Sequence, residues 1–170
     1  MLPPIPMSNR MLFILVMLSS LGCGLIGGVF FAFSTFVMPA LARLPPAQGV
    51  AAMQSINVTV INAPFMLAFL GTAAGSALLI VLSVPRWHHP GRIYFLAGGI
   101  LYLAGTIAVT FAFNIPRNDA LAAVAPDSAS AASLWPRFLA GWNTWNHVRG
   151  AAALIAAALL ILGLVQANRT

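Results

Sequence analysis

Gly150–Val165 reads GAAALIAAALLILGLV, and the eight residues before it read Trp142-Asn143-Thr144-Trp145-Asn146-His147-Val148-Arg149. No charged residue lies between Arg149 and Arg169. Such an interval can hold the ~20 apolar residues with which a helix crosses a bilayer. The same uncharged interval recurs between Arg10 and Arg43, between Arg43 and Arg86, and between Arg92 and Arg117. The chain is 61% hydrophobic and only 6% charged, against about 25% charged in ordinary soluble domains. Four spans follow, at approximately 11–38, 65–84, 93–113 and 150–165. The expected fold is an all-α integral membrane protein, an antiparallel four-helix bundle with helical extensions beyond the bilayer on one side. A single membrane domain over residues 1–170 accounts for the whole chain.

The remaining bulk properties mainly exclude functions. The net charge is +6, from eight arginines and two aspartates. Nucleic-acid binding calls for a basic stripe or cluster, whereas these arginines are single and sit at span ends, where they anchor to headgroups. The one cysteine, Cys23, lies in the first apolar run and reads as packing. That run continues to about Val37, too long for a signal-peptide core of about 7–15 residues, and is taken as a retained span.

Prolines and glycines punctuate the spans. Pro39 is expected to bend or end the first helix. Pro46 starts a helix that continues, kinked at Pro64, into the second span. Gly24/Gly28 and Gly71/Gly75 are G-x-x-x-G pairs, which allow close helix approach in lipid and leave a homo-oligomer open. A loop is expected from Asn114 to about Ser133, opening with an Asn-x-Pro-x-Asn turn. Leu134–Arg149 is expected to be helix running into the fourth span. Arg10, Arg86, Arg92 and Arg169 fall on one side of the membrane, and Arg43, Arg117, Arg137 and Arg149 on the other. The first set lies in short segments next to spans, and Arg117 and Arg137 share a loop with Asp119 and Asp127. The positive-inside rule therefore places both termini in the cytoplasm. The expected location is the bacterial inner (plasma) membrane, with the site towards the opposite face.

That face gathers the polar residues. On a helix, Trp142, Trp145, Asn146 and Arg149 share one side by their i, i+3, i+4, i+7 spacing, with His147 and Asn143 flanking it. Indole faces stack flat rings, while Asn and Arg bind ring oxygens and stabilise an oxyanion. Asn114, Arg117 and Asn118 follow the third span directly, and Asn57 and Asn62 precede the second. All could equally be boundary anchors and turn formers. His88 and His89 cannot present both rings to one ion from adjacent positions, and a metal site needs three or four convergent ligands. No metal and no cofactor is expected.

The chain resembles the anthrone oxygenase-like family of small integral membrane proteins, many of which have no assigned reaction. The resemblance rests on Phe30-Phe31-Ala32-Phe33, Met38-Pro39-Ala40-Leu41, Met53-Gln54-Ser55-Ile56-Asn57, Asn114-Ile115-Pro116-Arg117-Asn118-Asp119-Ala120-Leu121 and Trp142–Arg149. It extends from about Leu21 to Leu164. It implies oxygenation of an anthrone to an anthraquinone by O2, without flavin or metal. The partners would be a hydrophobic aromatic small molecule, O2 and the lipid bilayer. Under that reading His147 takes the proton, with Asn114 or a bound water as substitutes. Asn146, Arg149 and Asn118 hold the enolate oxygens, Trp142 and Trp145 stack the rings, and Asn57, Asn62 and Arg117 complete the pocket. The competing reading is a non-enzymatic membrane protein that binds a lipid or quinone, or an accessory subunit. A transporter is disfavoured because the midspan positions are apolar.

Overall fold

The computed structural model describes residues 7–85 and 90–167. His88 and His89, like Arg86 and Arg169, lie outside the described residues. Among the described residues, seven α-helices run α1 (Met7–Ala32), α2 (Met38–Leu41), α3 (Pro46–Thr59), α4 (Ala63–Ser83), α5 (Arg92–Leu101), α6 (Ile115–Ala122) and α7 (Ala129–Ala167). Wider π-helical turns at Phe33–Val37, Tyr102–Ala108 and Thr110–Asn114 join some of them end to end. Four continuous helical segments are long and apolar enough to cross a membrane: Arg10–Leu41, Ala63–Ser83, Arg92–Ala122 and Ala129–Ala167. The protein is an all-helical membrane bundle, as the spacing of its charges predicts.

α7 lies at the centre, packed along α1 and against α5. Small residues allow the approach. A Cβ at Gly105 would come within 2.5 Å of the Ala152 methyl. The G-x-x-x-G pair Gly24/Gly28 does not contribute, since nothing outside its own helix lies within 4 Å of either position. Contact falls instead on Gly27, which meets Leu154, and on Gly22, which meets Thr72.

Two apolar clusters stack along the bundle axis. One joins Ile26, Phe30, Phe69, Tyr102, Ala153 and Leu160. The other joins Met38, Val50, Met53, Leu121, Trp135 and Trp142 beyond it, under α3 and α6.

Four local expectations change. Pro39 does not end the first span, which runs on to Leu41. Proline has no N–H to donate, and the preceding turn widens so that Met38 N donates to Phe33 O five residues back. α3 and α4 are two helices rather than one kinked helix. Asn62 is extended (φ −122°, ψ 159°), and its Oδ1 accepts from Phe65 N at the new N-terminus. That side-chain cap, with Pro64 in the first turn, favours a fresh start over a bend. Asn114–Asn118 is not a turn, because the third span runs through it to Ala122. Pro116 is accommodated in the first turn of α6, directly after the π-helical stretch. α7 starts at Ala129, earlier than Leu134, with Ser128 Oγ accepting from Ala131 N.

Candidate active site

Along the third span the buried positions Tyr102, Thr106, Thr110 and Asn114 recur every four residues. In a regular α-helix each such step advances by about 40°, so the row would wind away from α7 within three steps. The π-helical turns hold more residues per turn and keep the row in register. Thr106 Oγ1 then donates to Arg149 O (3.0 Å), and Asn114 Nδ2 donates to Trp142 O (3.1 Å).

Arg149 is the centre of the arrangement. It is 7% exposed, and among the described residues no carboxylate pairs with it. Asn146 Oδ1 accepts from both its Nε (3.0 Å) and its Nη2 (2.8 Å), while Thr110 Oγ1 accepts from Nη1 (3.2 Å). Its Cζ lies 4.0 Å from the Phe30 ring centroid and 5.0 Å from that of Trp142, a cation between two π faces. A guanidinium has five N–H donors, and these bonds use three of them.

Asn146 is fully buried and makes four bonds. Its Nδ2 donates to Phe30 O and Ser34 Oγ, both at 2.7 Å, on α1 and the widened turn after it. Its oxygen is the double acceptor for Arg149. The Asn146 amide thus ties the Arg149 guanidinium, and with it α7, to α1.

Arg149 faces a cavity of about 300 Å³, walled by Phe30, Phe33, Phe65, Phe69, Met53 and Trp142 among others. This is the lower end of the range of small-molecule sites. The polar groups on its wall are Asn57, Thr110, Asn118, the Trp142 indole and Arg149. Trp142 Nε1 donates to Asn118 Oδ1 at 2.8 Å, which locks the indole against Phe33 (centroids 5.9 Å apart). Asn57 Nδ2 is buried without a hydrogen-bond partner. The site can therefore hold a flat apolar ring system and bind anionic or carbonyl oxygen at one end.

Of the residues singled out in the sequence, Arg149, Asn118, Trp142 and Asn57 line the cavity. Asn146 and Asn114 stand behind the wall, the first gripping Arg149 and the second the Trp142 backbone. The other four are outside it. His147 is exposed, and its Nε2 lies 3.5 Å from Asn143 Nδ2 on the outer side of α7. Trp145 stacks flat on Phe113, centroids 3.5 Å apart. Asn62 is an exposed helix cap. Arg117 donates to Phe113 O at 2.6 Å and packs across Gly141. The helical step sets His147 off the side shared by Trp142, Asn146 and Arg149, whereas Trp145, which shares that side, is taken up by Phe113.

Sequence reasoning missed Thr106, Thr110, Ser34 and Phe30. The signal was present in Thr106-x-x-x-Thr110-x-x-x-Asn114, a polar row inside an apolar span, where polar groups are costly without partners.

The chain matches no curated protein and no solved structure. The family model described as anthrone oxygenase matches residues 65–159. That region carries Thr110, Asn114, Asn118, Trp142, Asn146 and Arg149, and leaves Phe30, Ser34 and Asn57 to the unmatched first part. By that match over more than half of its length, the chain belongs to the anthrone oxygenase family.

Proposed function

We propose that this protein is a membrane-embedded, cofactor-independent oxygenase that uses O2 to convert an anthrone-type methylene into a carbonyl. The observation that carries the reading is the buried guanidinium of Arg149, without a carboxylate partner among the described residues, at one end of an aromatic-walled cavity. A charge so placed favours a ligand that becomes anionic. An anthrone meets this need. Loss of one methylene proton gives an aromatic enolate whose oxygen would lie against Arg149, with the rings between Trp142 and the phenylalanines.

The enolate passes one electron to O2, and the resulting radical pair joins as a peroxide at the former methylene carbon. Loss of the second C–H proton and cleavage of the O–O bond then leave a ketone and water. One anthrone and one O2 give one anthraquinone and one H2O. The methylene loses four electrons and O2 accepts all four, so the atoms and electrons balance with no further reductant.

Neither an imidazole nor a carboxylate is among the described residues of the cavity wall. The first proton is therefore assigned to a water at the site, with Arg149 stabilising the charge left behind. His147 has no part in this scheme. In orientation, both termini are cytoplasmic and the site lies towards the opposite face, on the distribution of arginines.

The test is oxygen uptake by proteoliposomes offered an anthrone, with the quinone measured alongside. We expect equal molar O2 and quinone, and a loss of about 100-fold or more in Arg149→Met, the scale of a lost oxyanion donor. Equal uptake by that variant and by empty liposomes overturns the reading. The lack of a side-chain base also suits a second reading, a quinone-binding protein without turnover. Tight binding of an anthraquinone with no anthrone-dependent oxygen uptake would select it.

A further inference from the structure

The cavity is closed towards α3 and α6 and open at its side. Gln54 Nε2 on α3 donates to both Leu121 O (2.8 Å) and Val124 O (2.9 Å) at the end of α6. Met53 and Leu121 are fully buried beside this tie. The side is different. α4 packs against α5 and the turns that follow it, and Tyr102 Oη donates to Phe69 O at 3.1 Å. Beyond that bond, α4 makes no comparable contact with Thr110–Asn114. The cavity reaches the surface in this gap, because the wall residues Ile61, Leu70 and Phe111 are 72%, 46% and 57% exposed.

All three are apolar, and the rest of the outer face of α4, including Leu67 and Leu78, is exposed and apolar as well. α4 has 21 residues, about 32 Å of helix, which matches the ~30 Å hydrocarbon layer. Leu70 lies seven residues from its start, about 10 Å along the helix. The opening thus spans the outer part of one leaflet, from the membrane boundary at Ile61 inwards. Ring systems with one polar edge settle at that depth, as Trp and Tyr side chains do.

We propose that the cavity is loaded sideways from the bilayer, through the gap framed by Ile61, Leu70 and Phe111, by a neutral, lipid-dissolved polycyclic phenol or ketone. Its polar edge then meets Arg149, Thr110 and Asn118 only after it has left the lipid. The ligand need not cross the Gln54 tie, and O2 reaches the site by the same apolar route. This proposal rests on the reading of the cavity as the ligand site.

The test uses a probe that has no methylene to oxidise, 1-hydroxyanthraquinone, and follows quenching of tryptophan fluorescence in proteoliposomes. Leu70→Cys and Phe111→Cys proteins are purified folded and then modified with N-cyclohexylmaleimide. Cys23 is 0% exposed and stays unmodified. Modified Leu78→Cys, on the outer face of α4 away from the gap, is the control. In both gap variants we expect association to slow by about tenfold or more, beyond any change in affinity. The control should follow the unmodified protein. A residue that merely lined the site would alter dissociation and affinity instead, and that outcome overturns the proposal. So does an unchanged association rate in both gap variants, which would place loading on the aqueous side. If the probe fails to bind the unmodified protein at all, the proposed function falls with it. If it binds and the modifications have no effect, only the lateral route falls.

Discussion

At the scale of single residues, the site depends on one charge and the amide that holds it. Asn146 donates its two N–H bonds to α1 and the turn after it, and gives its oxygen to Arg149. Replacing it with Leu strands the guanidinium and the Phe30 carbonyl together, a cost of roughly 2–3 kcal/mol. A thermal melt in detergent should show that loss, and turnover should fall with it. Arg149→Lys keeps a charge but not the planar fork that reaches Asn146 and Thr110 at once. It should bind 1-hydroxyanthraquinone more tightly than Arg149→Met and still turn over far more slowly than the native protein. His147→Ala should leave turnover within about twofold, as expected of an exposed surface change; a hundredfold loss would return the imidazole to the chemistry. The sequence made Trp142, Asn146 and Arg149 readable because they share one helix face. It could not separate them from Trp145, because a spacing rule gives the face and not the neighbour on it, and it left His147 at the edge of that face. Phe113 covers Trp145, and His147 is exposed.

At the scale of elements, the spans were legible from the gaps between arginines, and their ends were not. The third span overruns its predicted end by nine residues, 113 against 122. Proline in a first helical turn costs nothing that the helix needs, so Pro116 permitted what it was expected to prevent. The π-helical turns leave no simple mark in composition, yet the four-residue polar row of the third span fits them better than it fits an α-helix. The break before α4 rests on Asn62. Asn62→Ala should cost about 1 kcal/mol in a melt and leave probe affinity unchanged, since the side chain is outside the cavity. α3 is held more tightly. A Cβ at Gly49 would stand 2.7 Å from Trp135 Cζ2, and that indole is buried beneath Phe138. Gly49→Val should therefore destabilise by roughly 1–3 kcal/mol.

At the scale of the whole molecule, four crossings by the described helices would put the two ends of the chain in one compartment and the α6–α7 connection in the other. Cysteines introduced at Asp127 and Ser130 should react with an impermeant thiol reagent from the side opposite to a tag at either end. Labelling from the same side would contradict four crossings. The unit that joins membrane to site is α7, 39 residues in one helix and about 58 Å long. Its C-terminal half is packed in the apolar cluster around Ala153 and Leu160, and Trp142 and Arg149 near its middle line the cavity. The one proline inside it, Pro136, lies on the far side of the cavity from the bilayer part. Bilayers of different thickness tilt such a helix, and with no proline hinge between Arg149 and the lipid core the tilt arrives undiminished at the cavity wall. The lipid would then act as an effector as well as a solvent: turnover should pass through an optimum as acyl chains are lengthened, at the thickness that α7 and α4 can both span.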